Sequence, residues 1–329
     1  MNAPDLSSLA APTTTRNMRV RTIRYEAQNV LSFELVDPDG EALPTFEAGA
    51  HVDVHVFGQV RSYSLAGDPK DSHRWWLGVL KETQGTGGSK AMHEQVRVGA
   101  ILKVGAVRNN FSLDRQAQHT ILLAGGIGIT PLKAMAHALA RSGSSFELHY
   151  CARSPLHAAF LEELKAIVPV ESLHLHFDHG DPAQGLDISG LLKQSNQNTH
   201  AYFCGPAGFM AACKQATSHW PADHVHSEHF KAPEPEKLHT ESDGSFEVHL
   251  ARSGETIRVE PNQTIVRAIE LTGRRVPTSC LSGLCGSCKV TYLDGEVDHR
   301  DYILSDEEKN HCLTVCVSRA KSKSLSLDL

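Results

Sequence analysis

Toward its C-terminus the chain reads Ser279-Cys280-Leu281-Ser282-Gly283-Leu284-Cys285-Gly286-Ser287-Cys288, with two more cysteines, Cys312 and Cys316, downstream. The C-x4-C-x2-C…C spacing is that of plant-type [2Fe-2S] ligation. Such a cluster needs four thiolates converging from a tightly folded loop, and Gly283 and Gly286 allow the backbone to bring amide hydrogens toward inorganic sulfur. Structural zinc sites usually pair two short C-x2-C knuckles, which this segment lacks. Spacing alone does not choose between Cys312 and Cys316 as the fourth ligand. Five of the eight cysteines fall within residues 280–329, a clustering that points to a metal site rather than disulfides. Cys151, Cys204 and Cys213 are scattered, and by residue type they read as small buried side chains.

A length of 329 residues exceeds one ordinary core and suggests two or three domains, with three as the working number. The formal net charge of -6 argues against a general nucleic-acid binder. No apolar run approaches the roughly 18 to 20 residues of a membrane helix, and the Ala, Ser and Thr-rich start lacks a basic region followed by a hydrophobic one. The expectation is a cytoplasmic protein whose residues 1–16 form a disordered arm.

From Arg19 to about Ser112, short β-rich runs such as Ser32 to Val36 and His51 to Val56 alternate with Pro and Gly turns, predicting an antiparallel barrel or sandwich. The pattern changes at Thr120 to Ala124, an apolar run followed by Gly125-Gly126-Ile127-Gly128-Ile129-Thr130-Pro131 and a helical stretch over Leu132 to Ala140. Strand, Gly-rich turn and helix is an α/β signature. Strands at 146–150, 173–177 and 200–204 alternating with helices at 158–167 and 209–216 predict a parallel sheet. Lys231-Ala-Pro-Glu-Pro-Glu-Lys237 reads as a linker. Beyond it, a hairpin of Phe246 to Leu250 and Thr256 to Val259, then a helix over Thr264 to Thr272, predict a small third domain.

Two weaker constellations accompany the cysteines. The missing side chains of Gly125, Gly126 and Gly128 would let a pyrophosphate approach a helix N-terminus, although the stretch is not the G-x-G-x-x-G fingerprint and a simple tight turn reads the same way. Cys204-Gly205-Pro206-Ala207-Gly208 closes a later strand, so two Gly-rich loops are expected at one crevice. In the β-rich region Arg61-Ser62-Tyr63-Ser64 is followed by Thr86-Gly87-Gly88-Ser89. An arginine can pair with phosphate while a tyrosine lies against a flavin, but an ordinary half-buried strand has the same appearance.

In this order the three constellations resemble the phthalate dioxygenase reductase family, which includes vanillate demethylase reductases and carries FMN, NAD and plant-type ferredoxin domains. The resemblance runs from about Arg19 to the C-terminus and is most specific over Val276 to Cys288, Gly295-Glu-Val-Asp298-His-Arg-Asp301 and Cys316-Val-Ser-Arg-Ala320. It implies an FMN-binding β-barrel over 17–115, an NAD-binding α/β domain over 116–230, a linker at 231–242 and a β-grasp-like [2Fe-2S] domain over 243–329. By the same resemblance Arg61, Ser62, Tyr63 and Ser64 hold the flavin, with Gly87, Gly88 and Ser89 near its phosphate and Phe230 reaching it from the linker side. Gly125, Gly126, Gly128, Thr130, Pro131, Gly205 and Pro206 then form the nucleotide site, with Cys204 and Thr130 beside the reacting nicotinamide. The closing motif favours Cys316 over Cys312, with Leu313 to Val317 read as a strand. The family also favours FMN over FAD, and NADH over NADPH despite Arg153-Ser154, which could meet a 2′-phosphate.

Electron counting agrees, because nicotinamide gives two electrons as hydride whereas an iron-sulfur cluster accepts one, so a flavin must stand between them. The implied function is the reductase component of a Rieske-type oxygenase, with that oxygenase as partner. The competing readings are a stand-alone flavin/iron-sulfur reductase with another acceptor and a non-enzymatic zinc-binding or redox-sensing protein.

Overall fold

The computed structural model describes residues 15–83, 87–194, 198–231 and 244–329. Most of the expected N-terminal arm, Thr86 of the glycine motif and nearly all of the expected linker lie outside the described residues. The chain divides into two compact units, one spanning Thr15–Glu228 and the other containing His229–Leu329.

The first half of the larger unit contains β1 (Arg16–Ala27), β2 (Val30–Val36), β3 (His51–Val56), β4 (Gln59–Ser64), β5 (Trp75–Leu80), the short helix α1 (Gly88–Glu94) and β6 (Ile101–Val104). They form one antiparallel sheet in the order β4-β3-β6-β1-β2-β5. A bridge between Leu65 and Leu77 joins its two ends and closes the sheet toward a barrel. Alternation along β2 and β3 places Phe33, Leu35, Val52 and Val54 inside, all fully buried.

The second half contains β7 (His119–Gly125), α2 (Ile129–Ser142), β8 (Ser145–Ala152), α3 (Leu161–Ile167), β9 (Leu173–Phe177), α4 (Ile188–Leu191), β10 (Thr199–Cys204), α5 (Ala207–Ala216) and β11 (Val225–Glu228). Its sheet is wholly parallel, in the order β11-β10-β7-β8-β9. Helix α2 begins earlier than the sequence pattern suggests, directly after a single 3-10 turn at Gly126–Gly128, and stops at Gly143 in the left-handed conformation. The helix expected over 158–167 is shorter, because Phe160 sits at φ 63 and breaks it. Tertiary packing accounts for the break. Ala159 N–H donates to the buried Tyr150 hydroxyl (2.9 Å), and Phe160 turns under Gly78 of β5, where a Cβ would lie 3.0 Å from its ring. Lys133, buried in α2, donates to Ala66 C=O (2.8 Å), pairs with Glu163 and lies over the Phe160 ring, tying barrel to sheet within this unit.

The smaller unit contains β12 (Phe246–Leu250), β13 (Glu255–Val259), α6 (Ile265–Leu271), β14 (Lys289–Asp294), β15 (Val297–Asp298), α7 (Asp306–Lys309), β16 (Cys312–Thr314), β17 (Arg319–Ala320) and β18 (Ser324–Leu327). The main sheet runs β13-β12-β18-β14-β16, with β12 and β18 parallel and the remaining pairs antiparallel, while β15 and β17 form a small ribbon. A helix crossing a mixed sheet around a central parallel pair is the expected β-grasp arrangement. Thr264 caps α6 by accepting from Arg267 N–H (3.2 Å), and Ile265, Val266, Ala268 and Ile269 face a core of Val248, Leu250, Val259, Leu313 and Leu325.

Candidate functional site: thiol pairs, crossing glycine loops and a buried acid

No disulfide joins any of the eight cysteines, all of which lie among the described residues. In the 280–288 loop, Cys280 Sγ accepts from the amides of Ser282 (3.4 Å) and Leu284 (3.3 Å), and Cys285 Sγ from that of Cys280 (3.5 Å). The amides observed here reach cysteine sulfur, whereas the expectation for the two glycines concerned inorganic sulfur. Gly283 and Gly286 both take positive φ, and a Cβ on Gly283 would lie 3.0 Å from the Asp301 backbone. The Cys280 thiol donates to Cys285, pushing the latter down to about 5 and its own value up. The Cys316 thiol donates to Cys288 in the same way, holding Cys288 below the usual thiol range while its own value rises.

The four sulfurs therefore converge as two pairs, Cys280 with Cys285 and Cys288 with Cys316. A single tetrahedral zinc at about 2.3 Å from each sulfur would bring all four within roughly 4 Å of one another. Among the described residues, no three thiols come within 4.8 Å; the one set of three such donor atoms that does is Glu147, His149 and His174. Two pairs suit two irons, each with two protein thiolates, so the donor set fits a [2Fe-2S] cluster and not a mononuclear zinc.

The strand expected over Leu313 to Val317 is corrected: it ends at Thr314, and Cys316 lies in the following turn, whereas Cys312 is the cysteine within the strand. Val315 N–H still reaches Cys288 C=O (3.2 Å), after which Ser318 N–H folds back on Thr314 C=O (3.0 Å). This turn aims Cys316 at Cys288, while Cys312 Sγ faces Thr291 Oγ1 at 4.0 Å.

On the parallel sheet the two glycine loops meet. A Cβ on Gly128 would lie 2.0 Å from Cys204 C=O, and one on Gly125 would lie 2.8 Å from Pro206 Cδ. The Gly205 position is as close to the Gly125 backbone, at 3.0 Å. Gly126 takes φ +53 with open space where a side chain would stand, the cradle a pyrophosphate needs at the head of α2. Pro131 is buried in the first turn of α2. The Thr130 hydroxyl donates to Ile127 C=O (3.0 Å), and its methyl group packs at Gly78, so this side chain holds the loop against the barrel.

Strand β4 carries Arg61, Ser62, Tyr63 and Ser64. Arg61 lies against Gly88, whose Cβ would come within 2.6 Å of its side chain, and donates to Gln59 Oε1 (2.6 Å). Gly87 is left-handed at the start of α1, and Ser89 Oγ accepts from Glu82 N–H (3.1 Å). Ser62 donates to Asp53 Oδ1 (2.7 Å). The Tyr63 hydroxyl is buried with no hydrogen-bond partner, and burial pushes it up to about 12. Cross-strand from Ser64, His51 is buried with neither ring nitrogen bonded, and burial beside Arg108 lowers it to about 4. A buried, orphaned hydroxyl such as that of Tyr63 fits a polar ring system such as a flavin, while His51, in register with Ser64, faces the opposite side of the strand pair.

One residue escaped the sequence reading. Ser64 Oγ donates to Glu228 Oε2 (3.2 Å), and Glu228 stands in register with Cys204 where β10 and β11 end. Although the residue as a whole is only half-buried, its carboxyl is desolvated, which raises it to about 8 against the opposing pull of Ser64. Cys204 is fully buried and its thiol is pushed up by burial and by Glu228. The signal available in sequence was position alone, a carboxylate at the carboxyl end of a parallel strand. Phe230, 41% exposed, belongs to the C-terminal unit and not to the unit carrying the other expected flavin residues.

A parallel sheet with crossing glycine loops, an antiparallel barrel and a β-grasp unit with paired thiols define an electron-transfer oxidoreductase that links a nicotinamide nucleotide to an iron-sulfur centre. Residues 122–215 match the oxidoreductase NAD-binding domain, and residues 248–321 match the 2Fe-2S iron-sulfur cluster binding domain. The chain is 47% identical to the tert-butanol monooxygenase / tert-amyl alcohol desaturase reductase subunit of Aquincola tertiaricarbonis, over 97% of each chain. It is 43% identical to a vanillate O-demethylase oxidoreductase of Pseudomonas sp. strain HR199, over 94% of this chain and 98% of that one. The solved phthalate dioxygenase reductase, described as a modular structure for electron transfer from pyridine nucleotides to [2Fe-2S], superposes with a TM-score of 0.71 at 40% identity, over 96% of this chain and 98% of that one. The chain belongs to the phthalate dioxygenase reductase family, which takes in the vanillate O-demethylase oxidoreductases.

Proposed function

We propose that this chain is the reductase component of a Rieske-type oxygenase or demethylase, taking hydride from NADH through FMN and passing single electrons by way of a [2Fe-2S] cluster to the oxygenase. The observation that carries the reading is the two thiol pairs, which suit a one-electron centre on the same chain as an NAD-binding domain. Bound FMN supplies the conversion of one two-electron donation into two one-electron transfers.

The chain's own residues bind, orient and protonate. Arg61 with Gly87, Gly88 and Ser89 holds the flavin phosphate end, while Tyr63 offers its unbonded hydroxyl to the ring. Gly126 and Gly128 bring backbone close to the nucleotide, and Thr130 fixes that loop on the barrel. Cys204, Ser64 and Glu228 form the wall where nicotinamide and flavin meet. Glu228, raised to about 8, keeps its proton on the carboxyl at neutral pH beside the Ser64 hydroxyl. Cys280, Cys285, Cys288 and Cys316 are the cluster ligands, and Cys312 is not.

A Rieske acceptor is favoured because its His₂ ligation places it at about -150 to +300 mV, above the about -400 mV of plant-type ferredoxin centres, so transfer runs downhill. The test is anaerobic reduction of the full-length protein with NADH, then turnover with a purified Rieske oxygenase. Bleaching of both flavin and cluster, followed by product formation coupled to NADH oxidation, is expected. Reduction of dyes without coupled turnover by any Rieske oxygenase tried would overturn the assignment of partner.

A further inference from the structure

The parallel sheet carries a second group of donor atoms away from the nucleotide loops. Glu147 and His149 lie two residues apart on β8 and share one face, and His174 of edge strand β9 stands in register with His149. Glu147 precedes Cys151, the partner of Gly125 at the loop end of the sheet, by four residues, about 13 Å along the strand. On the same face, β7 and β10 are covered by the apolar cluster of Ile121, Leu123, Phe203, Met210 and Trp220. The polar group begins where that cluster stops.

Glu147 Oε2 lies 3.4 Å from His149 Nε2 and 3.8 Å from His174 Nε2, and all three donor atoms fall within 4.8 Å of one another. His119 Nε2 stands 3.8 Å from the other carboxylate oxygen. The His149 side chain is only 7% exposed and its Nε2 makes no well-formed hydrogen bond, although its approach to Glu147 holds that carboxyl below the usual carboxylate range. Its other nitrogen, Nδ1, is 3.1 Å from His176 Nε2. One tautomer turns Nε2–H toward the carboxylate, whereas in the tautomer that donates from Nδ1, Nε2 presents a bare lone pair to it, two acceptors facing each other. A cation between them resolves that conflict. A ring whose far nitrogen is held by a second side chain is also the usual support behind a metal-ligating histidine.

We propose that Glu147, His149 and His174 form a second metal site on this chain, for a divalent d-block cation of the zinc class, with His119 at its margin. Imidazoles with one carboxylate suit such ions rather than calcium or magnesium, which take oxygen ligands. Tetrahedral coordination at about 2.0 to 2.1 Å places donors roughly 3.4 Å apart, the spacing already present between Glu147 and His149. The His149 and His174 rings are stacked, with centroids 4.6 Å apart, so His174, the more exposed, turns out of the stack to aim its lone pair at the ion. A cavity of about 330 Å³ lies on the His119 side of Glu147, lined by both residues with Lys193 and Thr199 but not by His149 or His174. The ion then staples edge strand β9 to β8.

The probe is zinc alone, added to tag-free, oxidised holoprotein cleared of loose metal on a chelating resin, with zinc and iron per chain measured after gel filtration and affinity measured by calorimetry. One zinc is expected per chain with iron and flavin content unchanged. Glu147→Gln and His174→Ala are each expected to weaken binding by at least about tenfold, the lower end of what loss of a mere supporting residue does, while His73→Ala, an exposed histidine elsewhere, leaves it unchanged. Both test positions are partly exposed, and retained flavin and iron report that the variants are folded. No stoichiometric uptake, uptake at the expense of iron, or parental affinity retained in either variant would each overturn the proposal.

Discussion

The thiol pairs make a sharp prediction about single cysteines. Cys316 reaches Cys288 from a turn, and Cys312 faces Thr291 from a strand. Cys316→Ser is therefore expected to abolish or severely weaken the [2Fe-2S] absorbance while flavin stays bound and NADH still reduces it, and Cys312→Ser is expected to leave the spectrum intact; the opposite pattern would reassign the fourth ligand. Glu228 gives a second prediction with a definite sign. The folded chain keeps this proton up to about pH 8, whereas an ordinary carboxyl loses it near 4.5. Between those values the unfolded state binds fewer protons, so stability falls as pH rises, and the full penalty is present above about 8. Glu228→Gln removes the titration. Its melting temperature is expected to match the parent near pH 5 and to exceed it by an amount on the order of 3 °C at pH 9; a difference constant across this range would count against a buried, protonated Glu228.

At the scale of elements, legibility followed locality. Runs such as His51 to Val56 and His200 to Cys204 declare their strands by alternation or by continuous apolar character, and Thr264 declares the start of α6 by its cap. The broken helix at Phe160 was not legible, because its cause is a contact with Gly78 more than eighty residues away in sequence. Glu228 was hidden for the same reason, since only the pairing of β10 with β11 brings it to Cys204 and Ser64. Around the cluster loop, tertiary placement likewise decides which acids face solvent. Asp301 is fully enclosed, accepting from Leu304 N–H at 2.8 Å, and Glu308 is occupied in a capping box with Ser305, so Asp306 and Glu307 are left as the exposed acids of that run. The crossing glycine loops can be tested by contrast. Gly128→Ala puts a methyl group 2.0 Å from the Cys204 carbonyl, which forces two backbones apart, whereas Gly208→Ala meets nothing within 4 Å. The first is expected to slow flavin reduction by NADH by at least about tenfold, since small misplacements at a reacting centre are costly, and the second to leave it within about twofold; equal effects would mean that the crossing does not position the nucleotide.

At the scale of the whole chain, the two compact units divide the chemistry between them. The C-terminal unit has its own core, in which Val248, Leu250, Val259, Ile265, Leu313 and Leu327 are almost wholly buried, its own five-stranded sheet, and all four paired thiols. The crossing glycine loops, Tyr63, His51 and Glu228 all belong to the other unit. A segment with a complete core and its cluster ligands satisfies its own folding demands, and metal binding adds to them. A fragment spanning residues 244–329 is therefore expected to fold and to hold its cluster, with the oxidised spectrum of the intact protein. Dithionite needs no binding site and is expected to reduce the fragment. NADH offers a hydride, which a one-electron centre cannot accept, so it is expected to leave the fragment oxidised over hours under argon while reducing the intact chain's cluster. Adding the separate 15–228 unit with FMN is expected to restore slow, concentration-dependent reduction, because tethering no longer supplies the local concentration. If NADH alone reduced the isolated fragment, electrons would have a route that bypasses Ser64, Cys204 and Glu228, and the flavin relay would have to be abandoned.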